Sequence, residues 1–183
     1  MRMELRMALE LAEQVYSALE PMCQRIMVAG SIRRTRPWVG NLNLVVLPRP
    51  GQLEALRARC RLRARVVLEG QRQCVYRLRV REVGEVELDV WFARGPVLDP
   101  GRPLPSNWGS LLLWRTGSLA HVQWLQERAR QLGLRWEPEV GVLDEDGYCL
   151  AAAREVNVYA ALRLPWVPPA ARERAGMMER RQG

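Results

Sequence analysis

Two short stretches carry residues whose types and spacing could handle phosphate. Gly30-Ser31 stands between an apolar run, "RIMV", and a basic stretch with Arg33 and Arg34. A glycine turn at a helix start leaves backbone N–H groups free, adds the Ser31 hydroxyl, and brings guanidinium groups within one turn of helix. N–H groups and positive charge converging on one spot favour phosphate oxygens, and a triphosphate is the natural occupant. Seven residues after Arg34, "NLNLVVLP" alternates as a strand does, so positions 41 and 43 share one face. A third polar residue, Asp89, lies inside the strand-like "VELDVWF", where a buried carboxylate needs a reason. Three acceptors on two strands beside a phosphate cradle make the layout of a two-metal phosphoryl-transfer site. Two of the three, however, are the neutral amides Asn41 and Asn43. Asparagine after glycine is also ordinary turn chemistry, so the pattern by itself leaves an unrelated fold open.

The elements that must position these residues follow from periodicity. Apolar residues at helical spacing over 3–19 predict an amphipathic helix, and "RIMVAG" a short buried strand entering the glycine turn. A short helix is expected over Ser31–Arg36, a strand over Asn41–Pro48, and a helix over "GQLEALRARCRL". "ARVVLEG", "CVYRLRVRE" and "EVELDVWFA" read as three strands divided by turns at Gly70 and Gly84. The proline- and glycine-rich loop Gly95–Asn107 marks a boundary, giving domains at 1–100 and 101–183. Beyond it come helix, Gly117-Ser118 turn and helix, then a hairpin-like "WEPEVGVLDEDGYCL", a short helix "REVNVYAALRL", and a tail wrapping the surface. The fold class expected is α+β, a mixed sheet with helices followed by a small α/β subdomain.

Composition narrows the partners. The net charge is +8 and every basic residue is arginine, which favours a polyanion. Arg57 to Arg65 carries five arginines at every second residue, either a solvated face or a phosphate-tracking edge. One histidine, His121, and four cysteines without a CxxC pair offer no zinc set and no Cys/His catalytic pair, so buried free thiols are expected. Apolar runs fall short of the roughly 20 residues of a membrane span, and residues 1–25 show no signal-peptide core, so a cytoplasmic protein with no membrane partner is expected.

Taken in order, "GSIRR…VGNLNLVVLP", "VELDVWF", "LLLWRTGS…H…ARQLGL" and "REVNVYAALRLPWVPPAARE" resemble the DNA polymerase beta-like (family X) polymerases of the nucleotidyltransferase superfamily, over about Arg25–Glu173. The resemblance implies a nucleotidyltransferase palm followed by a thumb-like subdomain that positions the incoming nucleotide. It implies that Gly30, Ser31 and Arg34, with Arg33 beside them, hold the triphosphate. Asn41, Asn43 and Asp89 fall at the catalytic positions that bind two magnesium (or manganese) ions. Trp114, Arg115, Thr116 and Gly117 match the family's "YFTG" segment, which lies against the nucleotide sugar. Arg115 replaces a second aromatic residue there, and Val122 stands where many members carry an asparagine that touches the base edge. The implied substrates are a DNA primer-template and deoxynucleoside triphosphates, and the implied state is a monomer. The chain resembles a minimal palm-plus-thumb form, which implies no deoxyribose-phosphate lyase activity.

Asparagine keeps the shape of aspartate but removes its charge. Magnesium prefers anionic oxygen, so severe loss of turnover is expected, with triphosphate binding largely kept. Two origins of the double change stay open: an engineered or otherwise disabled polymerase, favoured because both replacements are the isosteric amide, or a natural pseudo-polymerase that binds DNA or nucleotide.

Overall fold

A computed structural model describes residues 2–173, and the chain divides after Ala93 into two units. In the first, β1 (Met3–Glu4) leads into α1 (Leu5–Leu19), β2 (Cys23–Val28), the four-residue α2 (Gly30–Arg33), β3 (Trp38–Val39) and β4 (Asn41–Pro48). After them come α3 (Leu53–Arg61), β5 (Ala64–Glu69), β6 (Gln73–Val80) and β7 (Gly84–Phe92). Five strands form one sheet in the order β2-β4-β7-β6-β5; β4 and β7 are parallel and the other neighbours antiparallel. This is the mixed sheet with helices that alternation and helical spacing predict.

Strand alternation divides this sheet into a core face and a polar face. Leu42, Leu44, Val46, Val86, Leu88 and Val90 are buried, in one cluster with Ala8, Ala12 and Leu19 of α1 and Leu56 and Cys60 of α3. The intervening residues, Asn41 and Asn43 on β4 and Glu87 and Asp89 on β7, therefore lie on the opposite face. The helix expected over Ser31–Arg36 is shorter than its basic stretch. It ends at Arg33, because Thr35 takes φ +54°, a left-handed conformation that no α-helix continues through.

The arginine run does not form one edge. On α3 a step of two residues rotates a side chain by about 200°, so alternate residues scatter around the helix. Arg57 donates to Glu54 and, at 2.7 Å, to the Gly70 carbonyl, while Arg61 forks onto Glu69. The Arg61 hydrogen bonds hold the Glu69 carboxyl below the usual carboxylate range. Cys23, Cys60 and Cys74 are buried free thiols, whereas Cys149 is half-buried; burial pushes Cys23 up to about 11 and Cys60 up to about 12.

The second unit holds α4 (Trp108–Thr116), α5 (Leu119–Gln131), β8 (Arg135–Glu137), β9 (Gly141–Leu143), β10 (Cys149–Ala151) and α6 (Glu155–Ala161). The segment read as a hairpin is a three-stranded antiparallel sheet, order β10-β9-β8. Gly147 at φ +78° closes a second turn that adds β10 to the hairpin. Val122, Leu125 and Ala129 bury one stripe of α5 against Trp136, Val142, Val158 and Tyr159. Gly109 lets α4 approach the backbone of Arg154, since a Cβ there would sit 2.3–2.4 Å from its N, Cα and C atoms. The tail expected to wrap the surface instead sends Arg172 fully into the unit, where it pairs with Glu155 at 3.0 Å. Residues 174–176 of that tail lie outside the described residues. Among the described residues no helix is long and apolar enough to cross a membrane.

His121 is fully buried, its Nε2 2.6 Å from the Tyr159 hydroxyl. Burial, reinforced by the positive charge of Arg172, depresses its pKa to about 4; Glu155 opposes the shift. A base with a lowered folded pKa is protonated first in the unfolded chain. Its contribution is therefore complete above the unfolded value of about 6.5 and is lost as the pH falls toward 4. The second unit should lose on the order of 2–3 kcal/mol between pH 7 and pH 4 from this group. Urea unfolding followed by tryptophan emission, with Trp124 centred 5.2 Å from the imidazole, measures it. A flat stability profile from pH 7 to 5 would sink the assignment.

Candidate functional site

The turn that opens α2 is stitched to β4. The Ala29 N–H donates to the Asn43 carbonyl at 2.8 Å, and Gly30 adopts φ +61° directly against the Asn43 side chain. A Cβ at Gly30 would lie 2.7 Å from Asn43 Nδ2, so both backbone angle and space demand glycine there. Ile32 is buried in the core and fixes α2, leaving Ser31, Arg33 and Arg34 half-buried around its first turn. The first N–H groups of such a turn have no carbonyl inside the helix, which is what an anion can use.

Register then places the acceptors. In the parallel β4–β7 ladder Asn43 is the direct partner of Asp89, and Asn41 of Glu87. Asn43 and Asp89 are each only 6% exposed. Asn43 Nδ2 donates to Asn41 Oδ1 at 3.1 Å, and Gln73 Nε2 on β6 donates to Asp89 Oδ1 at 2.7 Å. The structure thus brings Gly30, Asn41, Asn43 and Asp89 together on one patch of the first unit.

Trp114, Arg115, Thr116 and Gly117 form their own group in the second unit. They close α4: Thr116 is buried, the Arg115 guanidinium lies 5.2 Å from the Trp114 ring centre, and Gly117 caps the helix at φ +70°. Ser118 begins α5, accepting from the His121 N–H at 3.4 Å.

These residues do not fit a pair of divalent cations. Two hard ions about 4 Å apart require several anionic oxygens. Here the amide group of Asn43 is turned toward Asn41, and an N–H of Gln73 already occupies one oxygen of Asp89. Among the described residues no group of three or more His, Cys, Asp or Glu is placed to hold a metal ion.

Two further residues belong to the patch, Glu87 and Gln73. Glu87 was legible, since alternation along "VELDVWF" puts it on the face of Asp89. Gln73 was not: it reaches Asp89 from a neighbouring strand, and strand register is a long-range property. The ladder also aligns Asn41, Glu87, Arg77 and Arg65 across four strands, so the polar face carries guanidinium groups beside the amides.

Comparison with curated proteins gives no match. Residues 111–173 match the family model of the DNA polymerase beta thumb; the second unit is therefore similar to that thumb, a likeness that supports a family X polymerase-like relationship for the chain.

Proposed function

We propose that the chain is a DNA polymerase family X-type nucleotidyltransferase scaffold, a palm-like unit followed by a thumb-like unit. It would bind a DNA primer-template and a deoxynucleoside triphosphate, with turnover disabled at Asn41 and Asn43. The observation that carries this reading is the pairing of Asn43 with Asp89 on parallel neighbours, with Asn41 on the same face and the Gly30 turn packed against Asn43. The thumb match over 111–173 supports it from the other unit. In such an enzyme a primer 3′-hydroxyl attacks the α-phosphorus in line and pyrophosphate leaves. Positioning and charge stabilisation supply most of the rate.

The chain's own residues would do the binding. Ser31 and the N–H groups of the Gly30 turn would receive the triphosphate, with Arg34 and Arg33 neutralising it. Arg25, Arg77 and Arg79 share the polar face of the sheet by alternation and would meet the DNA backbone. In the second unit, Trp114 to Gly117 would lie against the nucleotide sugar.

The test is fluorescence anisotropy on a gapped duplex, followed by triphosphate titration of the complex. DNA affinity should fall steeply with salt, the signature of counterion release. Arg34→Ala should weaken triphosphate binding about ten- to hundredfold, the worth of a charge-assisted contact, and leave duplex affinity nearly unchanged. Absence of salt-dependent DNA binding would remove the reading.

A natural non-catalytic DNA- or nucleotide-binding module is the second reading. It is favoured by the amide hydrogen bonds that already satisfy Asn41 and Asp89. Restoring both carboxylates separates the two readings.

A further inference from the structure

The arginine run that the polar face leaves largely unused points elsewhere. On the helical side of the first unit, α1 and α3 leave a pocket between them whose floor is the core face of the sheet. Leu11, Val15 and Ala18 line one wall at helical spacing, and Leu78 and Leu88 form the floor. Arg59 and Arg63 stand at its mouth, four residues apart and exposed. Arg57 and Arg61 of the same run are tied to Glu54, Gly70 and Glu69, whereas the side chains of Arg59 and Arg63 make no ion pair or hydrogen bond among the described residues. An apolar slot with two guanidinium groups at its entrance matches one chemistry: an apolar chain ending in an anion.

We propose that this pocket binds a free, unbranched acyl carboxylate of medium length, chain inward and carboxylate on Arg59 and Arg63. From Leu11 to Ala18 the wall runs seven residues, which at about 1.5 Å each span about 10 Å, the extent of a chain of about eight carbons. A nucleic-acid phosphate could use the two arginines but not the slot, and a neutral alkyl chain could use the slot but not the arginines. The site is independent of the triphosphate turn, which lies on other elements.

The experiment is a methyl NMR titration of the full chain, read at Leu11, Val15, Leu78 and Leu88, with hexanoate, octanoate and dodecanoate. Octanol, octylamine and anionic phospholipid vesicles are the comparison arms. Affinity should rise about fourfold per methylene and level off near eight carbons. Octanol should bind at least ten times more weakly than octanoate, and octylamine should not shift the pocket methyls. Arg59→Ala/Arg63→Ala changes two exposed side chains and should cost at least tenfold, while Ala18→Phe should block the slot with the arginines intact. The proposal is overturned if octanoate leaves the pocket methyls unmoved at millimolar concentration. It is also overturned if octanol binds as well as octanoate, if the double variant keeps full affinity, or if only vesicles bind.

Discussion

Asn41→Asp/Asn43→Asp is expected to extend a primer on a gapped duplex with magnesium or manganese at least about a thousandfold faster than the parent chain. Removing a single transition-state stabilising donor typically costs about 10²–10³ in rate, and here two carboxylates are missing from one centre. The substitutions are isosteric, so the ladder that pairs position 43 with Asp89 should be kept. The 3.1 Å amide contact between 43 and 41 would become a contact between two carboxylates, and Gln73 would still hold Asp89. Like charges that close raise one another's pKa and destabilise the fold until a cation neutralises them. The restored protein should accordingly melt lower than the parent without divalent ions and gain several degrees when they are added; the parent should show no such gain. Primer extension by the restored chain alone supports a disabled polymerase. If the restored chain is inert while both proteins bind DNA, the non-catalytic module takes its place.

How far the sequence reaches depends on whether a feature is local. The alternation in "NLNLVVLP" and "VELDVWF" put Asn41, Asn43 and Asp89 on strands, and both strands are there. Their pairing joins residues 46 positions apart, Asn43 to Asp89, and nothing in either stretch states that register. Gln73 was hidden for the same reason. The run Arg57–Arg65 does not state its own face, because Arg57, Arg59 and Arg61 stand on α3, as helical spacing predicts, and only Arg65 on β5. In the second unit, Gly117 and Ser118 announce the α4–α5 turn by residue type alone. The third strand at Cys149–Ala151 is too short for its alternation to register. Arg172 had every sign of a surface residue, in a proline-rich stretch, and only a buried partner elsewhere in the chain explains its place.

That partner sets the second large effect. Arg172→Ala should cost the second unit about 3–5 kcal/mol, the range for breaking a buried ion pair from one side. Arg172 is fully buried and donates Nη1 to Glu155 Oε1 at 3.0 Å and Nε to the Val167 carbonyl at 3.0 Å. Its guanidinium also lies 5.8 Å from the Tyr159 ring centre. Removing it takes the Arg172 guanidinium from the Glu155 carboxylate, 9% exposed, and the cost comes from a buried carboxylate deprived of this partner more than from the lost attraction. For a unit of this size the loss corresponds to a fall of about 12 °C or more in Tm, read by tryptophan emission. Arg172→Lys should recover only part of it, because an ammonium cannot serve Glu155 and the Val167 carbonyl in one plane. Arg172→Met/Glu155→Leu should be less damaged than Arg172→Ala, since removing both charges leaves no buried carboxylate deprived of the Arg172 guanidinium. If Arg172→Ala stays within 1 kcal/mol of the parent, the pair is incidental to stability. The stretch from Val167 to Arg172 would then be a covering for the thumb-like unit and not its anchor.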